Sequence, residues 1–278
     1  MQLPNFRWCT SIVLVSTDRQ SFAQIINRLS PRCVPSVCSG DKSMGTGFQP
    51  RHFRRYTVQL PLLHLPESSK ADGTRVGWTR DLSEGGARVE LDRSIPVPSQ
   101  LRVRFQTDCG IIGAMAQVVW AGEPLTPGGG IPHGLAFTKI ADDEIASLRA
   151  AVISWGLTRS GVRLPFEVPV TYQLKGEAGP AIRAQTRDIS RAGLLVRVPQ
   201  AVPRSTVLEM TLHFRRRQIT ADAEVIWVAP PEGRTPGGLI RHGLRFINLD
   251  WPTAMALALE LVEQPEENSW YVPREGRA

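Results

Sequence analysis

Lysine is scarce in this chain. Lys42, Lys70, Lys139 and Lys175 are the only four among 33 basic residues, so arginine carries nearly all of the positive charge behind the net +7. Genomic bias toward arginine is one source of that excess, and an anionic partner is the other. Arginine suits such a partner because its flat fork of donors matches phosphate oxygens and the Hoogsteen edge of guanine. Cysteine is sparse too. Cys9, Cys33, Cys38 and Cys109 form no regular framework, which argues against disulfide stapling and for a reducing, cytoplasmic setting. Cys33 and Cys38 lack the His or Cys partners of a tetrahedral metal set. No run reaches the roughly 18 apolar residues of a spanning helix. The start, Met-Gln-Leu-Pro-Asn-Phe-Arg, is a poor secretory leader. Walker-type loops and repeated Ser/His/Asp or Cys/His sets are missing from the sequence. We therefore expect no enzyme activity, no metal and no cofactor.

What is present is a repeat. Thr79-Arg-Asp-Leu-Ser-Glu-Gly-Gly86 returns as Thr186-Arg-Asp-Ile-Ser-Arg-Ala-Gly193, an offset of 107 residues. Val118-Val-Trp120 returns as Val225-Ile-Trp227, Thr126-Pro-Gly-Gly129 as Thr235-Pro-Gly-Gly238, and His133-Gly-Leu-Ala-Phe137 as His242-Gly-Leu-Arg-Phe246. Anchors in one order with little drift mean a duplicated unit of roughly 105 residues. The 278 residues then divide into an extension of low order (1–49), a first unit (50–156), a second unit (158–264) and a loose tail (265–278). Met44, just ahead of the first unit, is a candidate start of translation.

Each unit reads as short strands between turns. In the second, the runs 166–172, 181–186, 194–198, 207–214, 219–227 and 241–246 are rich in β-branched and aromatic residues. Helical patterns follow. Ile145, Leu148, Val152 and Trp155 make one stripe after the acids Asp142-Asp-Glu144, with Gly156 as a stop; Met255, Leu259 and Val262 make another after Asp250-Trp-Pro252. The expected fold is all-β: two tandem units of about six strands, each a sandwich or barrel followed by a C-terminal α-helix.

The chemistry concentrates at two places in each unit. Before the first strand stand paired arginines, Arg51 and Arg55, then Arg159 and Arg163. Further on come Asp81-x-Ser83-x-x-Gly86 and Asp188-x-Ser190-x-x-Gly193. An arginine can donate two parallel bonds to guanine O6 and N7, and a second can stack on the base or hold a phosphate. A carboxylate accepts from the Watson–Crick donors of guanine. The serine hydroxyl and a glycine-permitted turn bring donors toward a phosphate.

With Arg-x-x-x-Arg, Asp-x-Ser-x-x-Gly, a Val-Val-Trp-like strand and a Gly-x-x-Phe-like last strand, the sequence resembles the PilZ domain family over both units. The resemblance implies two tandem six-stranded antiparallel β-barrels, each followed by a C-terminal α-helix, and binding of the bacterial messenger cyclic di-GMP. It implies that the arginine pair lies on a flexible loop that closes over the ligand, while the Asp-x-Ser-x-x-Gly segment supports guanine and phosphate. Carried over, Arg51, Arg55, Asp81, Ser83 and Gly86 form site one, and Arg159, Arg163, Asp188, Ser190 and Gly193 form site two. The first unit departs where Tyr56-Thr-Val replaces the proline-containing segment after Arg163, so Arg54 and Arg55 compete for one register.

Plainer readings stand beside these. Asp-x-Ser before Gly can simply close a hairpin turn, and paired arginines can be a solvated face. Trp120, Trp227, Phe137 and Phe246 read as core, His133 and His242 as packing residues, and Arg215-Arg-Arg217 as a hairpin turn. A ligand-free interaction module and a nucleic-acid-binding barrel are the rivals. The latter stacks bases on exposed aromatics, and only three tyrosines are present. The downstream protein target is not named by any motif.

Overall fold

The computed structural model describes residues 53–67, 73–108, 110–158, 162–177, 179–230 and 238–262, of which 152–158 by backbone alone. Arg51, Arg159, the extension and the tail lie outside the described residues, as do Cys109 and the side chains of Val152 and Trp155.

Seven strands precede the first helix: β1 (Tyr56–Thr57), β2 (Pro61–Pro66), β3 (Arg75–Ser83), β4 (Gly86–Leu91), β5 (Ser99–Thr107), β6 (Gly110–Ala121) and β7 (Ile131–Lys139), then α1 (Asp142–Thr158). Seven more follow: β8 (Leu164–Pro165), β9 (Pro169–Leu174), β10 (Ile182–Ser190), β11 (Gly193–Val198), β12 (Val207–His213), β13 (Gln218–Val228) and β14 (Ile240–Ile247), then α2 (Trp251–Leu261). Six long strands close each antiparallel barrel through the β3–β4 and β10–β11 pairings; the seventh, β1 or β8, is a two-residue strand laid on the motif strand. This is the expected architecture.

Alternation builds the cores. Leu101, Val103 and Phe105 of β5 point inward while Arg102 and Arg104 are less buried; Leu208, Met210 and Leu212 do the same in β12. Strand β2 is buried on both faces, so its sequence is nearly all apolar. Leu60 and Leu62 enter the barrel core, whereas Leu63 and Leu65 pack with Val262 beyond the end of α2.

The second helix differs from expectation in what it covers. α2 packs on β2 and β3 of the first barrel as well as on β13 of its own. Its fully buried residues are Ala254, Leu257, Ala258 and Leu261, with Met255 and Leu259 half-buried. Small alanines let the helix approach closely, and the Ala254 carbonyl accepts from Trp78 Nε1 at 2.9 Å. Asp250 caps the helix by accepting from Thr253 N–H. α1 runs through Gly156 to Thr158 rather than stopping there, since one glycine costs a terminal turn only about 1 kcal/mol.

Two tryptophans expected in the core are not there. Trp120 is 41% and Trp227 38% exposed, next to exposed Val119 and Ile226. A register shift between Val118 and Trp120, and another between Val225 and Trp227, breaks the alternation. Each shift is a β-bulge that turns two successive side chains outward. Phe137 and Phe246 are half-buried against the core. His133 and His242 are buried clips: Nε2 accepts a backbone N–H from Ile95 or Val202, and Nδ1–H donates to the carbonyl two residues earlier. Residues 215–217 form the β12–β13 turn, and Arg217 meets Glu260 of α2.

Candidate functional site

The motif strands β3 and β10 organise both sites. Tyr56 and Thr57 of β1 face Leu82 and Asp81; Leu164 and Pro165 of β8 face Ile189 and Asp188. The two registers are equivalent, so Arg55, one residue before β1, corresponds to Arg163, one residue before β8. Arg54 turns instead over the Tyr56 ring, 5.2 Å from its centroid.

A threonine that sequence reasoning passed over sets this register. Thr79 Oγ1 donates to the Val58 carbonyl and accepts from Leu60 N–H; Thr186 Oγ1 donates to Phe166 and accepts from Val168 N–H. Both threonines are fully buried. Each pins the segment after its arginine to the motif strand. The repeat of Thr-Arg-Asp in both motifs was the available signal.

The arginines reach the aspartates. Arg55 Nη1 lies 2.6 Å from Asp81 Oδ1, and Arg163 Nη1 lies 3.3 Å from Asp188 Oδ1. These pairs are partly exposed, a setting in which an ion pair adds about 0–1 kcal/mol. Burial pushes the Asp188 carboxyl above the usual carboxylate range, and the Arg163 guanidinium pulls it back down.

Serine and glycine are committed first to the turn. Ser83 Oγ donates to the Gly86 carbonyl and Ser190 Oγ to that of Gly193, and both serines are buried. The glycines are there for a different reason from the one expected. They open β4 and β11, where a Cβ would come within 2.1 Å of the Leu135 carbonyl oxygen or 2.0 Å of that of Leu244. A side chain there would collide with the neighbouring strand's backbone.

Site two opens into a cavity of about 590 Å³ lined by Arg163, Asp188, Ser190, Ala192, Trp227 and Arg245, among others. It joins two guanidinium groups, one carboxylate and the outward indole. Arg245, paired with Glu224 at 2.5 Å, was missed from the sequence. Its place between inward Leu244 and half-buried Phe246 marks it as outward-facing.

The second motif also reaches the first barrel. Arg191, inside Asp188-x-Ser190-x-x-Gly193, lies between the indoles of Trp78 and Trp251, 5.6 and 5.5 Å from their centroids. Its Nη1 donates to Glu90 Oε2 at 2.8 Å, while Glu90 Oε1 accepts from Arg80 at 2.6 Å. Glu90 is 5% exposed. One carboxylate thus ties together the residue before Asp81 and a residue of the second motif. Among the described residues, no group of three His, Cys, Asp or Glu is placed to hold a metal, and no helix is long and apolar enough to cross a membrane.

Comparison with known proteins completes the picture. The PilZ domain of CeSA from a cellulose-synthesising bacterium is 21% identical, covering 36% of this chain and 96% of that one, with a TM-score of 0.29. The PilZ domain of Escherichia coli YcgR with c-di-GMP is 18% identical over 38% and 91%, with a TM-score of 0.32. The MrkH–c-di-GMP complex of K. pneumonia is 13% identical over 73% and 87%, with a TM-score of 0.30. No curated protein sequence matches. The family model of the PilZ domain matches twice, over residues 49–154 and 157–263. Those two matches take in both barrels and most of the chain, which therefore belongs to the PilZ domain family.

Proposed function

We propose that this chain is a receptor for cyclic di-GMP rather than an enzyme, with a site on each barrel built from Arg51, Arg55, Asp81, Ser83 and Gly86 and from Arg159, Arg163, Asp188, Ser190 and Gly193. The observation that carries the reading is the duplicated arginine–aspartate pair, set in one register on two barrels. Such a pair is primed for exchange. A phosphodiester replaces the carboxylate as the partner of arginine, and the N1–H and N2–H donors of guanine replace arginine as the partners of aspartate. Little is lost, because an exposed ion pair holds about 0–1 kcal/mol, whereas a charge-assisted contact that excludes water adds about 1.5–3 kcal/mol. At site two Trp227 offers a face for the base, and Arg245 a second cation for a ligand carrying two negative charges. YcgR and MrkH are described with c-di-GMP bound.

Binding acts as a switch in this reading. The loop bearing Arg163 follows directly on α1, and Arg191 ties the second motif to Glu90 of the first barrel. Ordering the arginine loops around a dianion therefore changes how the barrels are held, and a cytoplasmic protein target reads the change. Isothermal titration with cyclic di-GMP tests the receptor reading. Arg163→Ala is expected to weaken site two by about 10- to 100-fold; unchanged affinity removes site two. X-ray scattering identical with and without ligand removes the switch.

A further inference from the structure

Phe53 belongs to the loop that carries Arg55, and its ring rests on Gly85 in the motif turn. A Cβ on residue 85 would stand 2.7 Å from Phe53 Cδ2 and 3.0 Å from Cε2. The ring is 47% exposed, so about half of it is covered. The counterpart of Gly85 in the second unit is Ala192, set by the matching Ser83–Gly86 and Ser190–Gly193 pairings. Ala192 lines the cavity of site two. Where the second unit presents a cavity wall, the first lays an aromatic ring.

The sequence explains the difference by a paired exchange of sizes. Aligned on Arg55 and Arg163, Phe53 corresponds to Gly161, which has no side chain to lay there. Gly85 corresponds to Ala192, whose methyl group at position 85 would collide with the ring. A large loop residue with a methylated turn is the combination that collides, and each unit avoids it.

We propose that Phe53 occupies part of the ligand room of site one, so that a guanine nucleotide entering there must first displace the ring, while its counterpart in site two, a glycine, has no ring to displace. This rests on the receptor reading above and adds an order to it: site two fills first, and Phe53 sets the affinity of site one. The ring gives up the contact of about half its surface, which corresponds to roughly a fivefold penalty in affinity.

The test uses the full chain with Arg163→Ala, so that titration with cyclic di-GMP reports on site one. Adding Phe53→Ala is expected to tighten binding about fivefold. Gly85→Ala should do the same with residue 53 unchanged, because the three atoms nearest the added methyl all belong to Phe53. In the absence of ligand, Phe53→Ala should shift the Gly85 amide resonance by removing the ring current. Weaker binding in either variant would make Phe53 a stacking platform and overturn the proposal, and unchanged binding would overturn it as well. A wild-type chain that takes up no ligand would overturn the receptor reading and this inference together. A wild type that binds, with variants that bind no tighter, would overturn this inference alone.

Discussion

The two units hold aspartate, serine and glycine in the same register, yet they use the residue after the serine in opposite ways. In the first unit it is Glu84, which meets Arg149 of α1 at 2.8 Å on the surface. In the second it is Arg191, wedged between two indoles and bonded to a buried glutamate of the other barrel. Duplication thus left the aspartate, serine and glycine alike and freed a neighbouring position for assembly. The same split shows inside the barrels. His64 on β2 and Tyr172 on β9 occupy equivalent inward positions, and both are buried with no hydrogen-bond partner among the described residues. Burial raises the tyrosine above its usual range and lowers the histidine to about 4.

The largest effects are expected where the units are most alike. Gly86→Ala and Gly193→Ala drive a methyl into a strand carbonyl at nearly equal distances. Each should destabilise by about 3 kcal/mol in urea denaturation, and a large difference between them would show that the motifs are not structurally equivalent.

The buried His64 and Tyr172 should separate the units by pH. Between pH 6.5 and 4 the unfolded chain protonates residue 64 while the folded barrel keeps it neutral. Stability contributed by neutral His64 is therefore full above pH 6.5 and falls as pH drops through that window, by up to about 3 kcal/mol. His64→Leu should flatten this part of the stability–pH profile. Tyr172→Phe should leave it unchanged, because tyrosine stays neutral throughout the window.

Smaller effects separate the two residues after the serine. Arg191→Ala leaves Glu90 with one partner and removes the guanidinium from two rings, for a loss of about 2 kcal/mol. Glu84→Ala removes one surface pair and should cost under about 1 kcal/mol. Equal losses in thermal denaturation would mean that Arg191 does not key the barrels together.

Much of this was legible in the sequence, because a duplication prints its own alignment. Strand positions, the two helices and the order of arginine and aspartate follow from periodicity and repeat spacing. The exposure of Trp120 and Trp227 does not, since a bulge resets the inward–outward alternation without leaving a mark in composition. Nor does the docking of α2 on the first barrel: an apolar stripe says that a face is covered, not by what. Thr79 and Thr186 lay inside the repeated motif, but their clipping of the arginine segment needs the segment's path. Arg191 sat in a position that looked free to vary, and its partner Glu90 is 101 residues away.

A cyclic di-GMP receptor built this way must exchange partners with its ligand across the Arg163–Asp188 pair. A crystal structure of the full chain with cyclic di-GMP measures this directly. The Arg163 guanidinium is expected on a phosphate or on the guanine O6–N7 edge, with Asp188 accepting from the guanine N1–H and N2–H groups. A ligand bound elsewhere, with the Arg163–Asp188 bridge intact, would contradict it.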